Sequence, residues 1–191
     1  MGQNDSIFNK IHYKVNAVKA NLRKAYYKAN GMVIGNHTHL GEIRAESPGS
    51  VEIGQHCTIR NFTTFWIQSP FKVANRITIG NHVFIGQSVE FNCCDQISIG
   101  DNCLIASSTI FVDSSHSYDG ESLIAGQPLK MASINLEEGV WVGSNCKILY
   151  GVNLGKGCII GAGAVVNKSV PPFEIWAGVP ARKIGERRPN K

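Results

Sequence analysis

Six histidines and six cysteines are among the side chains of this 191-residue chain that could act as bases, nucleophiles or metal ligands. His116 is the one histidine in an irregular segment, which runs from Asp113 to about Pro128 between regular stretches. Long loops in regular structures are usually functional. An imidazole with an ordinary pKa of ~6.5 can take a proton from a hydroxyl group near neutral pH. His116 is therefore the leading candidate for a general base.

The remaining histidines and the cysteines do not predict a metal site. His37 and His39 form a His-x-His pair with no third ligand nearby, and His56 and His82 each follow a glycine by two residues, in a turn position. The sequence has no Cys-x-x-Cys pair, and its one adjacent pair of cysteines suits neither chelation nor an ordinary disulfide. We therefore expect no metal.

A six-residue rhythm runs through most of the chain and predicts its fold class. In its clearest part an aliphatic residue recurs every six positions, often followed by glycine: Val142, Ile148, Leu154, Ile160 and Val166. A period of six fits neither an α-helix nor a simple amphipathic strand. It fits short strands joined by tight turns, three to a coil, with the aliphatic side chain pointing inward and glycine permitting the turn.

The same rhythm explains four of the cysteines. A small or branched side chain stands two residues before each inward aliphatic residue, and Cys57, Cys103, Cys146 and Cys158 occupy this position. Free cysteine behaves as a small hydrophobe in protein interiors. We predict that these four thiols are buried core residues rather than metal ligands.

Charge is distributed unevenly along the chain. The net charge is +5, but the basic side chains cluster in residues 1–31 and 182–191, and the middle of the chain is net acidic. No recognisable nucleic-acid module accompanies these clusters, so we expect no nucleic-acid partner. The sequence also has no stretch of about 18 uncharged apolar residues and no apolar run after Met1. A cytoplasmic protein is the expectation.

Two stretches of the C-terminal half resemble one enzyme family. They are Val140-Trp141-Val142-Gly143 with the repeats that continue to Val166, and Val170-Pro171-Pro172 followed by Ala177-Gly178-Val179-Pro180-Ala181-Arg182. The ordered series is similar to the hexapeptide-repeat acyltransferases, in particular to their sugar O-acetyltransferase branch. The resemblance implies an all-β fold, a left-handed parallel β-helix of hexapeptide repeats with a short N-terminal amphipathic α-helix and an inserted catalytic loop.

The rhythm and the resemblance divide the chain into three parts. Residues 1–31 are the N-terminal amphipathic helix, residues 32–171 are the left-handed β-helix with an inserted loop at 112–133, and residues 172–191 are a C-terminal tail. The helix has one apolar face, formed by Ile7, Ile11, Val15, Val18, Leu22 and Tyr26. We expect the helix to pack across the end of the β-helix or on a neighbouring subunit. Because its polar face is basic, contact with an anionic membrane is the less favoured alternative.

The resemblance implies a catalytic residue and an acceptor site. His116 matches the family's catalytic histidine, in a loop before the tryptophan segment, although Ser117 follows it where the family often has proline or aspartate. Asn92 and Asp95 are similar to acceptor-binding positions. Asp113 is the predicted partner that orients the ring of His116 through its other nitrogen. For Asn92, Asp95 and Asp113, turn formation is the alternative role.

The resemblance also implies acetyl-CoA as the cosubstrate. The residues that match its binding positions are Trp141, Ser144, Ala162, Gly163, Asn167, Lys168 and Arg182. The aromatic ring would lie beside the thiol arm, and the small residues would let backbone groups reach the pantetheine amides. The two basic side chains would meet the nucleotide phosphates.

The sequence therefore predicts an acetyl-CoA-dependent O-acetyltransferase that modifies a hydroxyl of a sugar or surface-polysaccharide precursor by direct transfer. The family's assembly implies a homotrimer with active sites between subunits. An antibiotic hydroxyl, a serine or an amino sugar is the alternative acceptor. A non-catalytic β-helix scaffold, or a carbonic-anhydrase-like protein, is the alternative from another class, but His82 and His116 lack a third partner for zinc.

Overall fold

The structure is a computed structural model that describes residues 7–68 and 76–188, with helix side chains from Lys14 onward. It begins with one α-helix, α1 (Ile7–Ala29). Short strands follow, and a 3-10 turn at Pro48–Ser50 lies among them. The strands before the break in the rhythm are β1 (Val33–Ile34), β2 (His39–Leu40), β3 (Ile43–Ala45), β4 (Val51–Ile53), β5 (Thr58–Ile59), β6 (Thr63–Ile67), β7 (Arg76–Ile79), β8 (Phe84–Ile85), β9 (Glu90–Cys93), β10 (Gln96–Ile99), β11 (Leu104–Ile105) and β12 (Ile110–Val112).

After β12 the chain leaves the coils and forms an antiparallel pair, β13 (Ser114–His116) with β14 (Leu129–Met131). A 3-10 turn at Ile124–Gly126 lies between the two strands. The coils then resume, and the remaining strands are β15 (Ile134–Leu136), β16 (Trp141–Val142), β17 (Lys147–Leu149), β18 (Asn153–Leu154), β19 (Ile159–Ile160), β20 (Val165–Val166), β21 (Glu174–Ala177) and β22 (Arg182–Glu186).

The strands of successive coils stack into three faces. Face A has the order β1-β4-β7-β10-β15-β18, face B has β2-β5-β8-β11-β16-β19-β21-β22, and face C has β3-β6-β9-β12-β17-β20. Neighbours within a face are parallel, except that β22 is antiparallel to β21. The structure is therefore a parallel β-helix, as the rhythm predicts. We call its edges the A–B, B–C and C–A corners.

The inward side chains form one continuous apolar core. Phe65, Phe91 and Phe111 lie in register on face C, and their ring centroids are 5.2 and 4.9 Å apart. The four cysteines predicted to be core residues are at most 1% exposed, which confirms that prediction. Burial raises the pKa of Cys103 to about 11 and that of Cys158 to about 12. These thiols therefore stay protonated at neutral pH and are poor nucleophiles.

The glycines of the repeat have a different role from the predicted one. On the A–B corner the left-handed backbone falls two residues after the glycine, on His37, His56 and His82, with φ of 56°, 56° and 57°. A Cβ atom on Gly54 would instead lie 2.5 Å from the carbonyl oxygen of Gly80 in the next coil. Glycine is needed here because adjacent coils touch, not because the turn requires a positive φ.

Helix α1 covers the first coil through its polar side. The strands of the first coil are the end strands of their faces and pair only with the next coil, as the N–H of His39 does with the carbonyl of Cys57 at 2.8 Å. The carbonyl oxygens on the other side of this coil therefore have no described strand to accept from. Three helix side chains donate to these oxygens, at 2.8–3.3 Å: Arg23, Lys24 and Tyr27. Polar donors on this side of the helix therefore close the open edge of the sheet.

The apolar face of α1 consequently points away from the β-helix. Its described members are 45–66% exposed: Val15, Val18, Leu22 and Tyr26. Ile7 and Ile11, the other predicted members, lie outside the residues whose side chains are described. The helix packs on the end of the β-helix, but through the opposite face from the apolar one. Among the described residues, no helix is long and apolar enough to cross a membrane.

Substituting Gly54 by alanine tests the contact between coils. We expect Gly54→Ala to lower the free energy of unfolding by about 2 kcal/mol, because the added methyl group forces two backbones apart. Urea denaturation followed by circular dichroism measures the change. Gly126→Ala is the matched control, since its Cβ would meet no atom within 4 Å. Equal losses in the two variants would refute the close-packing role.

Candidate active site

The irregular segment predicted to carry the base is an ordered hairpin. In the pair β13–β14, His116 lies opposite Leu129. Gln127 fastens the tip, because its side chain accepts from the N–H of Asp119 at 2.9 Å and donates to the carbonyls of Asp119 and Ser122 at 3.1 and 3.0 Å. We call residues 114–131 the His116 hairpin. It leaves and rejoins the β-helix at the C–A corner.

The side chain of His116 lies at the surface of this hairpin. It is exposed, and within the described part of the chain its ring has no hydrogen-bond or ionic partner. Both ring nitrogens are therefore open to a substrate or to a second subunit.

Asp113 does not orient His116, in contrast to the prediction. The Asp113 side chain is fully buried, and its two oxygens accept hydrogen bonds from the N–H groups of Cys94 at 2.6 Å and Asp95 at 2.9 Å. Burial raises the pKa of the Asp113 carboxyl, and these two N–H donors oppose the rise. Both carboxylate oxygens are therefore engaged by backbone N–H groups at the corner of the preceding coil.

The insertion of the hairpin explains why the side chain of Asp113 bonds to the preceding coil. One coil earlier, the N–H of Gln68 donates to the backbone carbonyl of Cys93 across the same corner. The corresponding carbonyl of Asp113 instead accepts from the N–H of Ala132, where the hairpin returns. The carboxylate of Asp113 therefore replaces its own backbone carbonyl as the acceptor for Cys94, which keeps the corner closed beside the insertion.

The two predicted acceptor residues flank the corner that Asp113 holds. Asn92, on β9, is half-buried on the outer side of face C, in register with Trp66 and Val112. Asp95 is half-buried at the C–A corner. Trp66 is 45% exposed and places an aromatic surface beside the Asn92 amide. Only the pairing of β6 with β9 makes Trp66 and Asn92 neighbours, so the sequence alone does not place these two residues together.

Trp141 lies on the outer side of face B. It is 49% exposed and stands in register between Leu104 and Ile159, with Phe84 one coil further back. This position fits the six-residue rhythm, in which the residue before an inward aliphatic side chain points outward. These four side chains form an apolar row on the outer surface of face B, and in a single chain this row is in contact with water.

The small residues predicted to approach pantetheine lie together at the B–C corner. The N–H of Gly163 donates to the carbonyl of Ser144 at 2.8 Å, which joins the two turns. A Cβ on Gly143 would lie 2.6 Å from the nitrogen of Ala162. Ser144, Ala162 and Gly163 are exposed, so their backbone groups border an uncrowded surface.

The predicted phosphate contacts lie near the last coil. Asn167 and Lys168 follow β20 at the C–A corner, and Arg182 begins β22; all three are exposed. Arg182 donates to the carbonyl of Ala181 at 2.7 Å and has no acidic partner among the described residues. Lys183 differs, because Glu174 and Glu186 both pair with its ammonium group.

The remaining histidines lie away from these groups. The rings of His37, His56 and His82 stack along the A–B corner, with centroids 4.9 and 5.0 Å apart. Within residues 7–68 and 76–188, no three His, Cys, Asp or Glu side chains are placed to hold a metal ion.

Comparison with known proteins identifies the family. The family model described as "Bacterial transferase hexapeptide (six repeats)" matches residues 133–168, and "Hexapeptide repeat of succinyl-transferase" matches residues 76–107. The galactoside O-acetyltransferase of Escherichia coli is 31% identical over 157 residues, which cover 79% of this chain and 73% of that enzyme. The chain belongs to the hexapeptide-repeat acyltransferases. The predicted family and the prediction of an acyltransferase enzyme are therefore confirmed.

Two further proteins are similar to this chain at lower sequence identity than the galactoside O-acetyltransferase. A putative lipopolysaccharide biosynthesis O-acetyl transferase of Escherichia coli is 29% identical over 116 residues, 56% of this chain and 59% of that one. The structure of AntD, an N-acyltransferase from Bacillus cereus in complex with dTDP and 3-hydroxybutyryl-CoA, has a TM-score of 0.75. It is 23% identical and covers 87% of this chain and 88% of that chain, so the likeness shows the shared fold.

In this hexapeptide-repeat acyltransferase most of the predicted site residues form two groups at opposite edges of face C, while Asn167 and Lys168 lie at the C–A corner of the last coil and Arg182 begins β22. Asn92, Asp95 and the His116 hairpin lie at the C–A corner. Ser144, Ala162 and Gly163 lie at the B–C corner, next to Trp141 on face B. The predicted acceptor residues and the predicted small-residue turn of one chain therefore lie apart.

Asp113→Ala tests the corner bond. We expect the free energy of unfolding to fall by about 2 kcal/mol, because two backbone N–H groups lose their acceptor, and the acceptor-dependent reaction rate to fall with it. Thermal or urea unfolding measures the first quantity. Asp119→Ala is the control, since its exposed carboxylate only pairs with Lys130 at 3.5 Å. Unchanged stability in Asp113→Ala would contradict the closing role.

Proposed function

We propose that this protein is an acetyl-CoA-dependent O-acetyltransferase that acetylates a hydroxyl group of a sugar or surface-polysaccharide precursor. The observation that carries the proposal is the 31% identity to galactoside O-acetyltransferase across 73% of that enzyme. The exposed His116, on the hairpin that interrupts the coils, supports it. The resemblance to this family also supports a left-handed β-helix.

His116 is the proposed general base. Its unprotonated ring nitrogen takes the proton of the acceptor hydroxyl as the oxygen attacks the thioester carbonyl, and a tetrahedral intermediate forms. Collapse of that intermediate breaks the C–S bond, and the imidazolium returns the proton to the departing thiolate. Asn92 and Asp95 hold the acceptor at the C–A corner. In this proposal Asp113 is a positioning residue, because it fixes the corner beside the acceptor through Cys94 and Asp95.

Acetyl-CoA fits the second group of residues. The bare turn of Ser144, Ala162 and Gly163 leaves backbone groups within reach of the pantetheine amides. Lys168 and Arg182 are exposed cations of the kind that bind nucleotide phosphates. Asn167 adds an amide beside Lys168. Trp141 packs against the thiol arm.

A homotrimer is the proposed assembly, with each active site between two subunits. The acceptor residues and the small-residue turn proposed for pantetheine lie at opposite edges of face C, so the C–A corner of one subunit and the B–C corner of another complete a site. The outward row that contains Trp141 supports this assembly, since exposed apolar rows usually mark contacts with partners.

Thiol release from acetyl-CoA tests the reaction. We expect release that depends on a galactoside or related sugar, and we expect His116→Ala to lower kcat by about a hundredfold or more. His82→Ala is the matched control, because this exposed histidine lies at the A–B corner. Amino-sugar and serine acceptors are measured in parallel.

Equal rates in His116→Ala and the unaltered protein would exclude His116 as the base. Release with the amino sugar or serine, but with no sugar hydroxyl, would refute O-acetylation of a sugar.

A further inference from the structure

The outward side of α1 carries an apolar stripe that no described residue covers. Val15, Val18, Leu22 and Tyr26 recur at spacings of three and four and are 45–66% exposed. The stripe they form is about 17 Å long at the rise of an α-helix. Single exposed apolar side chains are common, but a continuous row of them marks an interaction surface. We call these four residues the helix stripe.

The geometry of α1 leaves the helix stripe open to a broad partner. Arg23, Lys24 and Tyr27 bind the first coil. With successive residues turned by about 100°, these three and the stripe lie on opposite sides of the helix. The helix thus lies between the β-helix and the partner, and a flat surface can contact the stripe along its whole length.

The charge of α1 indicates the chemistry of the partner surface. The helix has no acidic residue in its sequence IFNKIHYKVNAVKANLRKAYYKA, although it has several lysines. Lys14 and Lys19 are exposed and flank the helix stripe on its two sides. An apolar row bordered by lysines and free of acidic groups is complementary to a surface with an apolar interior and negative headgroups.

We propose that α1 lies on an anionic lipid bilayer. The helix stripe enters the boundary between headgroups and acyl chains, and Lys14 and Lys19 meet lipid phosphates. A second copy of α1 is a poorer partner, because stripe-to-stripe packing would bring these lysines together with no acidic residue in either helix. The proposal does not depend on the active site, since α1 covers the first coil and the candidate site residues begin at Asn92.

Vesicle co-sedimentation of the full chain tests the proposal. The probes are vesicles of phosphatidylcholine alone and of an equimolar mixture with phosphatidylglycerol. We expect binding to the mixed vesicles only, and weaker binding as salt is added. Leu22→Ser should lower the partition coefficient between vesicles and water roughly tenfold, because the variant no longer gains the free energy of moving a leucine side chain out of water. Replacing both Lys14 and Lys19 by glutamine should lower it by roughly thirtyfold, because two cations no longer meet the anionic surface.

Leu123→Ser is the matched control, because Leu123 is 85% exposed at the tip of the His116 hairpin, away from the helix stripe. It should leave vesicle binding unchanged. Acetyl transfer to a water-soluble acceptor should be the same in Leu22→Ser as in the unaltered protein, which separates this proposal from the proposed reaction.

Three results would overturn the proposal. The first is no binding to the mixed vesicles, and the second is binding that Leu22→Ser leaves unchanged. The third is a change of oligomeric state in Leu22→Ser without vesicle binding, which would assign the helix stripe to another copy of the chain.

Discussion

Backbone hydrogen bonding between adjacent coils governs the rest of the architecture. Each coil needs a close neighbour on both sides, because the N–H and C=O groups of its strands point to the preceding and the following coil and need partners there. This requirement explains why glycine stands where coils touch, as at Gly54. It also explains why the two ends differ. The first coil has carbonyl groups with no preceding strand, which donors from α1 satisfy, whereas β19, the last of the two-residue coil strands on face B, pairs with β21.

The same constraint determines where function can be placed. The interior is filled by a core of stacked rings and buried thiols, so chemistry is confined to outward side chains and corners. A long insertion breaks the bonding between coils at one corner, and the carboxylate of Asp113 restores it. In our account this single buried side chain links the stability of the fold to the geometry of the acceptor site. In the proposed site, the acceptor residues and the small-residue turn then lie at the two edges of face C.

The sequence predicted features that depend on the repeat and missed features that depend on contacts across it. Burial of Cys103 and Cys158 and the outward position of Trp141 follow from the six-residue period alone. The packing side of α1 could not be predicted from its apolar face, because the deciding factor is the open carbonyl edge of a coil that the helix sequence does not contain. The partner of Asp113 was missed for a similar reason, since the hairpin withdraws a carbonyl group that only the paired coils reveal. Trp66 became visible as a neighbour of Asn92 only through strand register.

We infer that two subunits complete each active site, and mixing two inactive variants tests this inference. His116→Ala removes the base at the C–A corner, and Ala162→Trp blocks the small-residue turn at the B–C corner. Each variant is purified, and the two are unfolded and refolded together, with each refolded alone as the control. If the halves come from different subunits of a ring, about a quarter of the sites in an equal mixture regain both intact halves, and a similar share of the activity returns. A mixture as inactive as its separate components would contradict a site shared between subunits.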